Sequence, residues 1–170
     1  MSGPLLEVHP DAAAAAAAAA GRVAEAIRAA TSRRGRAVVA LSGGSTPTPM
    51  LTRLAHEDVE WSRCFVAQVD ERVAPPGSPD RNLTTLRRAL AEPAGLPADH
   101  LLAMPVDDPD LGAAAARYAA VLAELAGDPP VLDLVHLGLG ADGHTASLAP
   151  GAPVLDVVDR NVAEIGRAHV

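Results

Sequence analysis

The chain has 170 residues, of which 49% are hydrophobic and 2% aromatic, so its core must be built mainly from small aliphatic side chains. The hydrophobic content excludes intrinsic disorder, and a net charge of −7 with no lysine argues against nucleic-acid binding. One cysteine, Cys64, cannot form a disulfide within the chain. The apolar run Ala12–Ala20 is shorter than the roughly 20 residues of a membrane span, so we expect no membrane association.

Short apolar runs alternate with helical patterns along the chain. The predicted elements are a strand at Leu5–His9, a helix at Asp11–Thr31, a strand at Ala37–Leu41, a helix at Thr48–His56, a strand at Cys64–Asp70, a helix at Asn82–Leu90, a strand at Leu101–Met104, a helix at Leu111–Leu125, a strand at Leu132–Leu139 and a short helix starting near Thr145. This alternation favours βαβ units. We predict a single α/β domain with three αβα layers and a Rossmann-like, mostly parallel sheet.

Polar or glycine-rich segments follow three of the predicted strands. They are Ser42–Thr46, Asp70–Arg72 and Gly138–His144. In open parallel sheets, ligands bind beyond the carboxyl ends of the strands. Because each segment falls at such an end, we expect the three to form one ligand site.

The segment Ser42–Pro47 has the composition of a phosphate-binding loop. Two adjacent glycines allow a tight turn, and a following helix offers unpaired N–H groups to an anion. The candidate phosphate ligands are Ser42, Gly43, Gly44, Ser45 and Thr46. The segment lacks both the Walker and the dinucleotide spacing, so it suits a small sugar phosphate better than a nucleotide. An ordinary glycine turn with a serine cap is the alternative interpretation.

Charged residues follow the strand that ends at Asp70. Asp70, Glu71 and Arg72 suit the roles of base, structural partner and anion clamp, because a guanidinium fork matches phosphate or carboxylate. A solvated charge cluster is the alternative. Arg81 and Asn82 open the next helix as further binding candidates, the alternative being a capping role for Asn82.

The segment Gly138–Thr145 carries the strongest chemical signal. Its glycines, among them Gly140 and Gly143, expose the backbone around two functional side chains. His144, just beyond a strand, suits a general base near neutral pH, and Asp142 suits a residue that orients it or binds substrate hydroxyls. We expect His136, inside the strand, to be structural. No Cys or His spacing indicates a zinc site.

Three segments together resemble a known family. They are Leu41–Pro47 (LSGGSTP), Asp70–Asn82 (DERVAPPGSPDRN) and Leu132–Gly151 (LDLVHLGLGADGHTASLAPG), in matching order and spacing. They resemble the lactonase branch of the glucosamine-6-phosphate isomerase/6-phosphogluconolactonase superfamily over roughly residues 5–163. The resemblance implies a cytoplasmic enzyme of the pentose phosphate pathway that needs no metal or cofactor. Its small-molecule substrate would be 6-phospho-D-glucono-1,5-lactone, hydrolysed to 6-phosphogluconate.

The resemblance also implies roles for individual residues. Ser42–Thr46 would hold the phosphate with help from Arg72, and His144 would activate water. Asp142 and the glycine-rich backbone around it would position the sugar and the developing oxyanion. Asp70 would bind or orient neighbouring groups. The predicted catalytic residues are therefore His144, Asp142 and Asp70, and the predicted binding residues are Ser42, Gly43, Gly44, Ser45, Thr46, Arg72, Arg81, Asn82, Gly140 and Gly143.

The isomerase and deaminase branch is the alternative enzyme. That branch continues after the glycine–histidine motif with an Asn-Glu-Pro segment, whose glutamate supports ring opening. Here the matching residues are Leu148-Ala149-Pro150, so that acid is absent. Lactone hydrolysis needs no such acid, and the sequence therefore favours the lactonase.

Members of this family continue well beyond the glycine–histidine motif. We therefore expect the native domain to occupy residues 1–163 and its sheet to be incomplete at the carboxyl-terminal end. Glu164–Val170 lacks periodicity, and its codons can be written as a common sequencing adapter, so we predict a non-native tail. If the short chain is genuine, a non-catalytic sugar-phosphate-binding remnant is the alternative.

Overall fold

Within residues 5–165, which the computed structural model describes, five helices and four strands follow one another. They are α1 (Ala12–Arg34), β1 (Ala37–Leu41), α2 (Thr48–Leu54), β2 (Cys64–Gln68), α3 (Asn82–Leu86), α4 (Glu92–Ala94), β3 (Leu101–Leu102), α5 (Leu111–Ala126) and β4 (Leu134–Val135). A π-helical turn, Arg87–Ala91, joins α3 to α4. Short 3₁₀ turns lie at Trp61–Arg63, Ala98–His100 and Pro153–Asp156.

The four strands form one parallel sheet in the order β3-β2-β1-β4. β1 pairs with β2 from Ala37 opposite Cys64 to Leu41 opposite Gln68. The chain thus adds β2 and β3 on one side of β1 and then returns to place β4 on the other side. Such a switch point opens a crevice between the loops that follow β1 and β4. The predicted parallel α/β sheet is confirmed.

Helices cover both faces of the sheet, as the predicted αβα layering requires. Alternate strand residues such as Val39 and Val66 face α1, α2 and the α3–α4 region, where they form the larger core. Ala40 and Ala67 face the opposite side and pack against Tyr118 and Leu122 of α5. This alternation follows from the period of two along a strand.

Cys64 lies in the larger core at the start of β2 and is fully buried. Burial among apolar side chains raises the pKa of its thiol to about 12, because the charged thiolate is disfavoured there. The thiol is therefore protonated and unreactive in the folded chain.

Helix α1 is defined by its two ends. The carboxylate of Asp11 accepts a hydrogen bond from the N–H of Ala14 at 2.7 Å, so Asp11 is the N-cap of the helix. Gly35 ends the helix in a left-handed conformation with φ of 77°. Arg33 and Arg34 occupy the last turn, where the helix dipole favours positive charge.

None of the helices in residues 5–165 has the length and apolar character needed to span a bilayer.

Two predicted elements were wrong. Residues 5–9 form no strand, since Leu5, Leu6 and Val8 are exposed and the segment pairs with no strand. Its side-chain tether is the ion pair from Glu7 to Arg22 on α1. No helix starts near Thr145, because Ala146 adopts a positive φ of 51° and ends any helical path.

Other strands are shorter than their apolar runs predicted. The run Leu132–Leu139 contributes a ladder at Leu134–Val135, flanked by backbone hydrogen bonds from Asp133 and His136 to β1. β1 ends at Leu41, so the later residues of the run have no partner there. The excess residues become part of the loop that carries the predicted catalytic groups.

The hydroxyl of Tyr118 connects two strand ends. It accepts a hydrogen bond from the N–H of Gln68 at 2.8 Å and donates one to the carbonyl of Leu102 at 3.1 Å. Tyr118→Phe leaves these buried backbone groups unpaired, so we expect a loss of about 1–3 kcal/mol in the free energy of unfolding. Urea denaturation monitored by circular dichroism measures it. An unchanged unfolding free energy would contradict this role for the hydroxyl.

Candidate active site

The loop after β1 is held by contacts with two other segments. The buried Ser42 hydroxyl donates a hydrogen bond to the carbonyl of His136 at 3.0 Å, which joins this loop to the end of β4. Gly43 lies against the start of α3, where a Cβ atom would come within 2.6 Å of the Cα of Asn82. Glycine is required there because any side chain would displace one of the two segments. These contacts hold the loop after β1 against the end of β4 and the start of α3.

The rest of this loop presents hydroxyl groups to solvent. Ser45 and Thr46 are exposed and form a turn that leads into α2. Gly44 has a φ of 101°, and its carbonyl accepts a hydrogen bond from the Thr48 hydroxyl at 2.8 Å. Of the three predicted hydroxyl ligands, those of Ser45 and Thr46 are exposed, whereas the Ser42 hydroxyl is bonded within the fold.

Asp70 joins the start of α3 to the loop after β4. One carboxylate oxygen accepts a hydrogen bond from Asn82 Nδ2 at 3.2 Å, and the other accepts one from the Ser147 hydroxyl at 2.5 Å. Asn82 Nδ2 also donates to the Asp70 carbonyl at 3.0 Å. Sequence reasoning missed Ser147, whose only signal was its place three residues after His144.

The two predicted binding arginines lie in different environments. Arg81 is 4% exposed and forms ion pairs with Glu71 at 3.5 Å and Asp107 at 3.0 Å. Arg72 is exposed and donates to a backbone carbonyl at 3.2 Å. In the part of the chain that the structure describes, Arg72 has no ion-pair partner. Arg72 is thus the accessible cation, and the Arg81 guanidinium is committed to the fold.

The glycine-rich loop after β4 folds back on itself. The N–H of Gly140 donates to the carbonyl of His144 at 2.8 Å, and the N–H of Gly143 donates to the carbonyl of Gly140 at 3.0 Å. The Thr145 hydroxyl donates to the carbonyl of Gly138 at 2.9 Å. Gly140 and Gly143 therefore give the loop its shape, since their N–H groups already have acceptors.

His144 and Asp142 form a pair on this loop. His144 Nδ1 lies 2.5 Å from Asp142 Oδ1, and the same oxygen accepts the His144 backbone N–H at 3.2 Å. These two hydrogen bonds hold the pKa of Asp142 below its usual value, so the carboxylate is ionised. An ionised carboxylate only accepts hydrogen bonds, so Nδ1 must carry a proton, and Nε2 is the ring nitrogen that can act as a base when the imidazole is neutral. With 45% of its side chain exposed, His144 is accessible to a reactant.

The imidazole of His144 rests directly on Gly140. A Cβ atom at Gly140 would lie 2.1 Å from His144 Cε1 and 2.8 Å from Nε2. This contact requires a glycine at that position. It gives the ring a fixed support on one side while Asp142 holds its edge.

His136 lies at the end of β4, below the same crevice. Burial lowers the pKa of its imidazole because the charged form is poorly solvated there. Its Nδ1 is buried and has no hydrogen-bond partner among the described residues. The structure thus holds His136 as a neutral side chain.

The lowered pKa of His136 predicts that acid destabilises the fold. At a pH just below the ordinary histidine pKa of about 6.5, His136 binds a proton in the unfolded chain but not in the folded chain. The contribution of neutral His136 to the free energy of unfolding is therefore complete above that pH. It is lost as the pH falls, by at most about 1.4 kcal/mol per pH unit. Urea midpoints near pH 7.5 and pH 5.5 should differ less for His136→Gln than for wild type. The exposed His56→Gln is the control and should behave like wild type. An equal decrease of the urea midpoint in His136→Gln and wild type would contradict this prediction.

Within residues 5–165, no three His, Cys, Asp or Glu side chains are grouped closely enough to bind a metal ion. The polar side chains at the crevice instead form the Asp142–His144 pair and the link from Asp70 to Asn82 and Ser147. The chemistry that the Asp142–His144 pair offers is proton transfer at the exposed imidazole of His144.

Comparison with known proteins places these features in a family. The family model described as glucosamine-6-phosphate isomerases/6-phosphogluconolactonase matches residues 10–169. A 6-phosphogluconolactonase of Pseudomonas putida is 41% identical over 154 residues, covering 89% of this chain and 61% of its own length. One from Nostoc is 36% identical over 159 residues, covering 91% and 66%. The chain therefore spans less than two thirds of the length of these relatives.

Solved structures agree in fold. The 6-phosphogluconolactonase of Trypanosoma brucei superposes with a TM-score of 0.77 at 31% identity, covering 94% of this chain and 68% of that one. The corresponding protein of Trypanosoma cruzi gives a TM-score of 0.81 at 28% identity, covering 93% and 67%. The family match spans the loops after β1, β2 and β4 that build the crevice. This chain belongs to the glucosamine-6-phosphate isomerase/6-phosphogluconolactonase family.

Proposed function

We propose that this protein is a 6-phosphogluconolactonase, which hydrolyses 6-phospho-D-glucono-1,5-lactone to 6-phosphogluconate. The observation that carries the proposal is the His144–Asp142 pair, in which an ionised carboxylate fixes the proton on Nδ1 and leaves Nε2 as a base. The pair lies at the switch point of a parallel sheet, where this class of fold binds ligands. The names of the relatives above support the same activity.

The phosphate group binds at the loop after β1. The exposed Ser45 and Thr46 supply hydroxyl donors, and the accessible Arg72 supplies the positive charge for a dianion. Gly43 and Gly44 let the backbone approach the phosphate closely. The lactone ring then extends across the crevice toward the loop after β4.

The reaction needs one base and one leaving oxygen. Nε2 of His144 takes a proton from water while the water oxygen bonds to the lactone carbonyl carbon. The bond between that carbon and the ring oxygen then breaks, and the ring oxygen receives the proton from the imidazolium. Asp142 stabilises the imidazolium between these steps. The products are one carboxylic acid and one hydroxyl on the same sugar chain, so all atoms of the water are retained.

The amino-sugar-phosphate isomerases and deaminases of the family are the alternative. Ring opening of an amino sugar needs an acid, and residues 148–150 here are Leu, Ala and Pro. We therefore expect no ammonia release from glucosamine 6-phosphate. The substrate is a charged, membrane-impermeant metabolite, so we place the activity in the cytoplasm.

The experiment follows lactone loss by ³¹P NMR with the purified 170-residue chain. The lactone hydrolyses spontaneously, so the measured quantity is the excess rate per enzyme molecule over a protein-free blank. We expect saturable acceleration, and titration with 6-phosphogluconate should show binding in parallel. Binding without acceleration would instead indicate the sugar-phosphate-binding alternative. If the chain shows neither binding nor acceleration, the proposed function is refuted for this chain.

A further inference from the structure

Glu71 accepts more hydrogen bonds than the other carboxylates near the crevice. Its side chain is 0% exposed, and its carboxylate receives four hydrogen bonds and one ion pair. The hydrogen-bond donors are the N–H of Arg72 at 2.8 Å, the N–H of Asn82 at 2.8 Å, the N–H of Leu83 at 2.9 Å and Gln68 Nε2 at 2.8 Å. The ion pair is with Arg81 Nε at 3.5 Å. A buried carboxylate is stable only with such full compensation.

The bonds of Glu71 fix the start of α3 relative to the end of β2. Two of them satisfy the first N–H groups of α3, which have no acceptors within the helix. Glu71 thereby caps α3 with a negative charge from 11 residues earlier in the chain. That helix end is filled from inside the protein and is closed to a substrate anion.

The ion pairs of Glu71 and Arg81 leave the positive charge of Arg72 without a carboxylate partner among the described residues. Glu71 is paired with Arg81, which in turn meets Asp107, whereas the guanidinium of the adjacent Arg72 makes its contact with a neutral carbonyl. Because Glu71 is paired with the buried arginine, it does not neutralise the exposed one. The Arg72 backbone is nevertheless held by Glu71 at 2.8 Å.

Asn82 connects the carboxylate of Glu71 to the loop after β1. Its backbone is capped by Glu71, its Cα touches Gly43, and its amide holds Asp70, which in turn meets Ser147. A displacement of the first residue of α3 would therefore move the loop that carries Ser45 and Thr46.

We propose that Glu71 is a positioning residue that sets the phosphate-binding geometry of Arg72 and of the Ser42–Thr46 loop. The geometry that carries this inference is one buried carboxylate bonded to both the Arg72 backbone and the start of α3, against which Gly43 packs. The ligand part of the inference rests on the function proposed above.

Glu71→Gln tests this role, with Asp133→Asn as the matched control. Asp133 is also a buried carboxylate, 6% exposed, that accepts a backbone N–H, from Val38 at 2.9 Å, and pairs with an arginine. It lies at the opposite, amino-terminal edge of the sheet. Both substitutions should lower stability, but only Glu71→Gln should affect the crevice.

Two measurements are made on each 170-residue variant below its unfolding temperature. The first is the backbone amide NMR spectrum without ligand, in which Glu71→Gln should shift or broaden the signals of residues 42–46 and Asp133→Asn should not. The second is the Kd for 6-phosphogluconate, which should rise by about tenfold or more for Glu71→Gln, since one acceptor becomes a donor facing N–H groups. The Kd of the control should stay within about twofold of wild type.

The outcomes separate the two proposals. If wild type neither binds 6-phosphogluconate nor accelerates lactone hydrolysis, the proposed function fails, and the amide spectrum alone decides whether Glu71 orders the loop. Unchanged loop signals and an unchanged Kd in a folded Glu71→Gln protein would overturn the role of Glu71. If that variant does not fold, Glu71→Asp replaces it, since it keeps the charge but shortens the reach by one methylene. Raised Kd and shifted loop signals in Glu71→Asp support the role, and wild-type values reject it.

Discussion

His144→Ala is expected to lower lactone hydrolysis by about 10²–10⁴-fold while leaving the Kd for 6-phosphogluconate close to that of wild type. The loss follows from removal of Nε2, the ring nitrogen that faces away from the hydrogen bond between Nδ1 and the ionised Asp142 and that serves as the base in the proposed mechanism. Phosphate binding should persist because Ser45, Thr46 and Arg72 belong to other segments.

The measurement compares kcat and Kd in the ³¹P NMR assay and in calorimetry. His56→Ala is the matched control, because His56 is an exposed histidine in the turn after α2, away from the crevice. The control should retain wild-type values for both quantities. Wild-type turnover in His144→Ala would remove the base from the mechanism, and a joint loss of binding and turnover would place His144 in substrate binding.

Gly140→Ala is expected to cause the second large effect, a loss of about 10²-fold in turnover with the protein still folded. The added Cβ would lie 2.1 Å from the His144 ring, so the imidazole must leave its present position. A misplacement of about 1 Å in a catalytic group costs on this order of rate.

Gly138→Ala provides the control within the same loop. A Cβ at Gly138 would meet no atom within 4 Å, so the substitution changes loop flexibility without touching the ring. We expect near wild-type turnover from Gly138→Ala and equal thermal midpoints for the two variants. If both variants lose turnover alike, loop flexibility and not the ring contact controls the rate.

Local patterns in the sequence were sufficient for the layers of the fold. The short β-branched run at Ala37–Leu41 and the capped helix at Ala12–Arg34 are determined by burial and hydrogen bonding within a few residues. The strand predicted at Leu5–His9 failed because an apolar run forms a strand only where a partner edge is available. Such partners are a property of the tertiary structure.

The candidate site divides in the same way. The contact between Asp142 and His144 spans two residues, so their motif was enough to predict it. The bond between Asp70 and Ser147 spans 77 residues, and no local pattern connects them. Arg81 carries the same charge as Arg72 in the sequence, and only folding commits Arg81 to a buried carboxylate.

The buried thiol of Cys64 has a practical consequence. Because it lies in the core at the start of a central strand and stays protonated, a thiol-reactive dye can label it only after the sheet opens. The labelling rate then measures the fraction of molecules that are globally open at any moment. Labelling of this single cysteine thus reports unfolding of the chain, and no probe needs to be engineered. Each variant above can be ranked for structural integrity in the same tube that is used to measure its turnover.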